Sequence, residues 1–250
     1  MKLLNTISVI TLAAMASYGC GGSGGGSAPT PNGVYTGSIT DGLGAPTNGN
    51  EKGIFYDSRL MVFSTSANIQ QLFDAEITID SNNFAGTVSN YDNTNTTKRF
   101  TADISGSFIE STSVTASFNN FSPDFFNPGT INLTADASLY SRGSSAATVT
   151  DGWQGIYGGA AETTSLNIDA MGNINGNDTE SCNFTGTIAP ANPSVNVYNV
   201  TITSTGGAGC TSLPAATYTG FAWTEGANDT TLNFTVANGT NSRSVVLTRN

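Results

Sequence analysis

The sequence predicts an all-β protein built from two antiparallel up-and-down β-barrels. Apolar residues alternate with polar ones along most of the chain, and Gly, Asn, Asp and Pro bound the alternating segments. The second half divides into about eight short strands with short turns, a number that suits a closed up-and-down barrel. The first half repeats parts of the second. We therefore expect two such barrels in one chain.

Composition indicates an exported protein with polar but uncharged outer faces. Charged residues make up 10% of the chain and apolar residues 38%, whereas charged residues make up about 25% of an average domain. The formal net charge is −10. An acidic chain with few basic residues cannot neutralise a phosphate backbone, so we expect no nucleic-acid partner.

Residues 1–19 have the parts of an export signal, with Lys2 before the apolar stretch Leu3–Ala16. This stretch is shorter than the roughly 20 residues that span a bilayer. Gly19 and Cys20 follow it. The arrangement resembles a bacterial lipoprotein signal, which implies that Cys20 becomes the lipid-bearing first residue. The Gly that follows this Cys, in place of Asp, implies an outer-membrane anchor, facing either the periplasm or the cell surface.

Cleavage at the Ala14-Met15-Ala16 site is the alternative to lipoprotein processing. The three cysteines favour lipidation. Cys182 and Cys210 lie in the same half and can pair, which leaves Cys20 alone, as a lipid-modified cysteine would be. We expect a Cys182–Cys210 disulfide that persists in the oxidising periplasm.

The pattern divides the mature chain into four parts. Residues 20–32 form a lipidated Gly/Ser tether, and 33–141 form an N-terminal β-domain. Residues 142–150 are rich in Ser and Ala and are interpreted as a linker. Residues 151–250 form the C-terminal barrel. The best candidate for a helical turn is Asn68–Ala75.

Four segment pairs support an internal repeat, although Thr/Gly-rich strands can match by chance. The pairs are Gly33-Val-Tyr-Thr-Gly with Gly155-Ile-Tyr-Gly-Gly, Phe84-Ala-Gly-Thr-Val with Phe184-Thr-Gly-Thr-Ile, Thr112–Phe121 with Thr230–Val236, and Ile131-Asn-Leu-Thr with Val246-Leu-Thr.

The second half resembles the lipocalin-like barrels of Gram-negative bacterial lipoproteins. The matching segments are Gly155-Ile-Tyr-Gly-Gly, Cys182-Asn-Phe-Thr-Gly-Thr-Ile, Asn196-Val-Tyr-Asn-Val, Cys210 and Val245-Val-Leu-Thr-Arg. These are structural positions, so the resemblance implies a fold and a compartment but no activity. Host-protein-binding surface lipoproteins carry similar barrels. The sequence lacks the Gly/Phe/Tyr-rich segments of that class, so their function is not transferred.

Alternation also predicts which side chains face the interior of the second barrel. The inward set is Leu166, Ile168, Phe184, Ile188, Tyr198, Val200, Ile202, Phe221, Trp223, Leu232, Phe234, Val236, Val245 and Leu247. An eight-stranded barrel is either filled by side chains or holds one small ligand, and these bulky residues favour a filled interior. Trp153, Tyr157 and Trp223 are the candidates for a ligand-binding mouth, with a role in the core as the alternative.

The chain contains no His, which excludes Ser-His-Asp and Cys-His catalysis and His-ligated zinc. Carboxylates are the remaining catalytic candidates, but the neighbours Asp74 and Glu76, and Asp178 and Glu180, are expected to be solvated turn residues. We expect no catalytic residue, metal or cofactor.

The sequence therefore predicts a non-enzymatic, lipid-anchored envelope protein that binds an envelope protein or glycan. A carrier of a small apolar ligand in a barrel cavity is the first alternative. A carboxylate-based glycan hydrolase, which needs two facing carboxylates, is the second.

Overall fold

The computed structural model describes residues 29–40, 50–64, 71–92, 97–119, 128–157, 162–205, 209–210 and 213–250. The signal segment, Cys20 and most of the tether lie outside these residues.

The first eight strands form barrel 1. They are β1 Gly33–Thr40, β2 Glu51–Tyr56, β3 Arg59–Phe63, β4 Gln71–Asp80, β5 Asn83–Asp92, β6 Lys98–Ile109, β7 Ser113–Asn119 and β8 Pro128–Ala135.

The last eight strands form barrel 2. They are β9 Asp151–Tyr157, β10 Glu162–Ile168, β11 Asn173–Asp178, β12 Asn183–Pro190, β13 Tyr198–Ser204, β14 Ala216–Glu225, β15 Thr231–Ala237 and β16 Ser242–Arg249.

Each barrel is closed and antiparallel, and each strand pairs with its neighbour in sequence. Pairing of β1 with β8 closes barrel 1, and pairing of β9 with β16 closes barrel 2. The predicted all-β fold with two up-and-down barrels is therefore confirmed. The exact domain boundaries remain predictions.

Two short helices, α1 Ala137–Tyr140 and α2 Ala146–Val149, connect the barrels. Asp136 and Ser145 cap their N-termini by accepting backbone hydrogen bonds. The segment interpreted as a linker is packed against barrel 2, since Val149 joins its core and the Ser145 backbone hydrogen-bonds Tyr198. Within the described residues, no helix has the length and apolar character needed to cross a membrane.

The predicted helical turn Asn68–Ala75 is wrong where it can be compared with the structure. Residues 71–75 belong to strand β4, where Phe73 and Ala75 face the interior of barrel 1. Residues 68–70 lie outside the described part of the chain. The apolar spacing in this segment fits a strand that is buried on both faces, which periodicity alone does not separate from a helix.

The interior predicted for barrel 2 is confirmed except at two residues of β14. The other predicted inward residues form one apolar cluster, and barrel 1 has a separate cluster of its own. Phe221 and Trp223 are buried but face outward, while Tyr218 and Ala222 of the same strand face inward. Period two shows that residues alternate, but it cannot identify the inner face of a strand that is buried on both sides.

A third apolar cluster joins the two barrels through their outer faces. Its barrel 1 side includes Met61, Phe63 and Leu72, and its barrel 2 side includes Phe221 and Trp223. The rings of Phe63 and Trp223 lie 5.9 Å apart. We call this cluster the inter-barrel core. The two barrels therefore form one packed unit instead of two separate domains joined by a linker.

Polar contacts frame the inter-barrel core. Lys52 of β2 forms an ion pair with Glu225 of β14, and the Trp223 indole nitrogen donates to the same carboxylate at 3.1 Å. At another point, the backbone nitrogen of Lys98 donates to the Thr240 carbonyl at 2.8 Å. Side-chain and backbone contacts therefore fix the same relative placement of the barrels.

The predicted disulfide between Cys182 and Cys210 is present, with a sequence separation of 28. It closes the connection from β13 to β14 against the start of β12. In the chain-entropy description, a loop of this length contributes roughly 3.5 kcal/mol to stability.

Strand register corrects two of the four repeat matches. In barrel 1, Gly37 pairs with Leu133 of the last strand. In barrel 2, Gly155 lies against Leu247 of the last strand. The counterpart of Gly155 is therefore Gly37 and not Gly33. The match of Phe84 with Phe184 joins the fifth strand of one barrel to the fourth of the other, so these segments are not equivalent. The pairs beginning at Thr112 and at Ile131 join equivalent strands.

Candidate functional site

The candidate site is a cleft of about 470 Å³ between the outer faces of the two barrels. Strands β3 to β6 supply its barrel 1 wall, and β14, β15 and the turn after β15 supply its barrel 2 wall. The lining residues are Arg59, Asp74, Glu76, Thr87, Ser89, Tyr91, Lys98, Thr101, Thr217, Thr219, Ala237, Asn238 and Gly239. We call it the inter-barrel cleft.

Arg59 organises the cleft. Its Nε and Nη2 atoms donate to both oxygens of Asp74, at 2.7 and 2.8 Å. Nη1 and Nη2 also reach the hydroxyl and carbonyl oxygens of Thr219 across the barrel boundary, each at 3.3 Å. Burial alone would lower the pKa of Arg59, but the hydrogen bond and charge of Asp74 raise it overall. The guanidinium therefore stays charged and fixed.

The remaining lining groups are mostly hydroxyls, with one amide and two exposed charges of opposite sign. Lys98 and Glu76 are exposed, while Tyr91 is buried at the edge of the inter-barrel core. Burial, helped by the Asp74 charge, raises the pKa of Tyr91, so its hydroxyl is neutral over the physiological range. The cleft is therefore polar and charge-balanced.

The structure does not bring the three predicted ligand-binding residues into one site. Trp153 lies in the core of barrel 2, where its indole nitrogen donates to the Val149 carbonyl at 2.8 Å and the Arg249 guanidinium lies 4.6 Å from its ring centre. Trp223 belongs to the inter-barrel core. Tyr157 ends β9, and its side chain lies outside the described part of the structure. A ligand role for these residues remains a prediction.

The four carboxylates singled out from the sequence were expected to be turn residues, which is correct for Glu180 and wrong for the other three. Asp74 and Glu76 both lie on β4 and face the inter-barrel cleft, and Asp74 is engaged by Arg59. Asp178 ends β11 and its side chain is buried against Arg243. In each pair one carboxylate is therefore held in an ion pair. Among the described residues no group of three or more acidic or Cys side chains could hold a metal ion.

Sequence reasoning missed a buried polar cluster at one end of barrel 2. Arg243 of β16 is 1% exposed, and its guanidinium donates to Thr164 at 2.9 Å and to Asp178 at 2.8 Å. It also lies 5.6 Å from the Phe184 ring centre. The signal was available, since Arg243 shares the parity of the inward residues Val245 and Leu247.

Glu162 and Glu180 lie beside this cluster. Burial, followed by the hydrogen bond and charge of Glu180, raises the pKa of Glu162 from 4.5 to about 7, although Arg243 opposes the shift. At neutral pH this carboxyl therefore lies close to its point of half-protonation.

No protein-family model and no curated protein matches this chain. A solved structure that resembles it is the isotype 1 transferrin-binding protein B from serogroup B Neisseria meningitidis. The identity is 10% and the TM-score 0.31, and the match covers 88% of this chain and 57% of that chain. This chain thus spans little more than half the length of the matched structure. A likeness at this level does not bear on function.

The raised pKa of Glu162 predicts a pH-dependent stability. Between pH 4.5 and about 7, Glu162 keeps its proton in the folded protein but loses it in the unfolded chain. The stability that this proton contributes is therefore complete below pH 4.5 and is lost as the pH rises to about 7. Glu162→Gln has no carboxyl to titrate and does not lose stability in this way. At pH 8 we expect the variant to be more stable by about 1 kcal/mol, allowing for partial solvent exposure, or about 2–4 °C in Tm.

Thermal unfolding at pH 5 and pH 8 measures this difference. Glu110→Gln, in an exposed turn of barrel 1, is the matched control and should change neither value. Equal destabilisation by Glu162→Gln at both pH values would show that the carboxyl has only a structural role.

Proposed function

We propose that this is a non-enzymatic, lipid-anchored protein of the bacterial cell envelope that binds a glycan in the inter-barrel cleft. The observation that carries the proposal is the polar, charge-balanced lining of a cleft of about 470 Å³ at the boundary between two rigid barrels. Ligand sites commonly lie at such boundaries, and this volume is within their usual range.

The chemistry of the lining favours a neutral, hydroxyl-rich ligand. Thr87, Thr101 and Thr217 present exposed hydroxyls that can both donate and accept hydrogen bonds, as sugar hydroxyls do. The Arg59 charge is held by Asp74, and the charges of Lys98 and Glu76 offset one another. A strongly charged partner therefore gains little from this surface.

Neither alternative function has an observation of its own in its favour. A carrier of an apolar ligand needs an apolar cavity, whereas the inter-barrel cleft is polar and the buried residues of both barrels are bulky. A glycan hydrolase needs two available carboxylates. In the cleft, Asp74 is already bound by Arg59, which leaves Glu76 without a free partner on β4.

The anchor rests on the sequence alone. The Gly19-Cys20-Gly21 junction and the pairing of the other two cysteines support lipidation of Cys20. We expect the denaturing mass of the mature protein to correspond to a chain that begins at Cys20 with attached acyl groups. A mass for an unmodified chain that begins at Ser17 would contradict the anchor.

Glycan binding can be measured by calorimetry and saturation-transfer NMR. The ligands are chitobiose, maltose, cellobiose and envelope polysaccharide purified from the bacterium that makes the protein. Because a neutral hydrogen bond contributes about 1 kcal/mol, we expect Thr87→Val and Thr101→Val each to weaken binding about fivefold. Thr187→Val, on the outer face of β12 away from the cleft, is the matched control. Failure of every glycan to bind, or equal weakening by the control, would contradict the proposal.

A further inference from the structure

Another open pocket of about 470 Å³ lies on the outer face of barrel 2, where strands β9 to β12 are neighbours. In the closed order of eight strands, β11 is four strands away from β15, which contributes to the inter-barrel cleft. The pocket therefore lies on the side of barrel 2 that is opposite the cleft. The two sites have no lining residue in common.

Exposed carboxamides dominate the lining of this pocket. They belong to Asn167, Asn175, Asn177, Asn183 and Asn250, and Ser165 adds a hydroxyl. None of the described lining residues carries a charge. We call this site the asparagine pocket.

Strand pairing groups four of these carboxamides closely on the outer face. Asn167 of β10 lies opposite Asn175 of β11, and Asn177 of β11 lies opposite Asn183 of β12. Directly opposite Cβ atoms of antiparallel strands are about 5 Å apart, and residues two positions apart on one strand are separated by about 7 Å. A ligand of a few sugar rings can therefore contact several carboxamides at once.

Gly152 creates the depression at one side of the pocket. It lies on β9 opposite Asn167, so no side chain projects beside that residue. Asn250 bounds this side, because its backbone nitrogen donates to the Gly152 carbonyl at 2.9 Å. Its amide nitrogen lies 3.2 Å from the position that a Cβ of Gly152 would occupy. The pocket is thus bounded by Asn250 on one side and by the carboxamides of β11 and β12 on the other.

Strand stability does not explain the asparagines. The neighbouring outer face of β12 and β13 carries exposed threonines at Thr185, Thr187, Thr201 and Thr203. Thr is enriched in strands and Asn is depleted, on a scale that spans about 1 kcal/mol. Threonine on β10 and β11 would keep the surface polar and would favour the strands more. The carboxamides therefore indicate a role other than folding.

The carboxamides are also available to a ligand. In the part of the chain that the structure describes, the side chains of Asn167, Asn175 and Asn177 form no hydrogen bond with protein groups. A carboxamide donates through its NH₂ group and accepts through its oxygen. Sugar hydroxyls also do both, so the two kinds of group are complementary.

The lack of charge in the lining favours a neutral glycan over other ligands. An ion would lose hydration without gaining a counter-charge from the lining. An apolar ligand would cover amide groups and leave them without hydrogen-bond partners, which costs free energy. A neutral glycan avoids both costs.

We infer that the asparagine pocket binds a neutral glycan independently of the inter-barrel cleft. The inference extends the proposed function, because a molecule with both sites holds two glycan chains on opposite sides of barrel 2. The pocket does not need the cleft in order to bind. Two sites on one rigid barrel increase retention on a glycan layer through multivalency.

A residue-resolved NMR titration of the mature protein in mild detergent tests the inference. The probes are chitobiose, cellobiose and maltose. We expect at least one of them to shift the side-chain NH₂ resonances of Asn167, Asn175 and Asn177 in a saturable manner. The resonances of the cleft residues report on the other site in the same titration.

The double variant Asn167→Val with Asn175→Val removes one pair of opposite carboxamides. Because a neutral hydrogen bond contributes about 1 kcal/mol, we expect at least about tenfold weaker binding in the pocket. Binding in the cleft should not change. Asn132→Val makes the same change at an exposed outward position of β8 in barrel 1 and should leave both sites unchanged.

Unshifted pocket resonances with every probe, or equal pocket affinity in the double variant and the wild type, would overturn the inference. Shifts confined to the cleft would also overturn it, while supporting the proposed function. Shifts confined to the pocket would support the inference and contradict binding in the cleft. Since Val favours strands, the double variant should keep its Tm. If it does not fold, the wild-type titration still decides, because it locates the bound glycan residue by residue.

Discussion

The burial of strand β14 on both faces is the constraint on which the rest of the structure depends. Its inner face contributes Tyr218 and Ala222 to the core of barrel 2, while its outer face contributes Phe221 and Trp223 to the inter-barrel core. Barrel 1 contributes outward side chains of β3 and β4 to the same inter-barrel core. The outer face of a soluble barrel is normally solvated, so these large apolar residues require a partner surface.

The inter-barrel core explains why the cleft exists. Once Phe63 and Trp223 are in contact, Arg59 lies close enough to reach Thr219 on the other barrel. The hydroxyl-bearing faces beside this contact then converge instead of facing open solvent. The inter-barrel cleft is thereby formed by the outer faces of two side-by-side barrels.

Much of the fold could be predicted from the sequence, because period-two alternation and turn residues are local signals. They predicted the strands, the two barrels and the inward residues of β15 and β16. They could not identify the outer burial of Trp223, which depends on contact with a distant strand. Short Thr/Gly-rich matches also could not show which residues of the two barrels are equivalent. That alignment depends on the residues that lie opposite Gly37 and Gly155 in the neighbouring strands.

The candidate site was harder to predict than the fold. The inter-barrel cleft joins residues far apart in sequence, and no local motif marks it. The interior polar positions were more accessible, since Glu51 and Arg243 share the parity of buried apolar neighbours on their own strands. A charged residue at an inward position is a usable signal.

Calorimetric unfolding of the full chain tests the central claim, that the inter-barrel core joins the two barrels into one unit. The account predicts one cooperative transition for the wild type. In Trp223→Ala, which removes a buried aromatic residue at a cost of about 3–5 kcal/mol, it predicts a lower midpoint and separation into two transitions. Two separate transitions in the wild type, with midpoints that Trp223→Ala leaves unchanged, would contradict it.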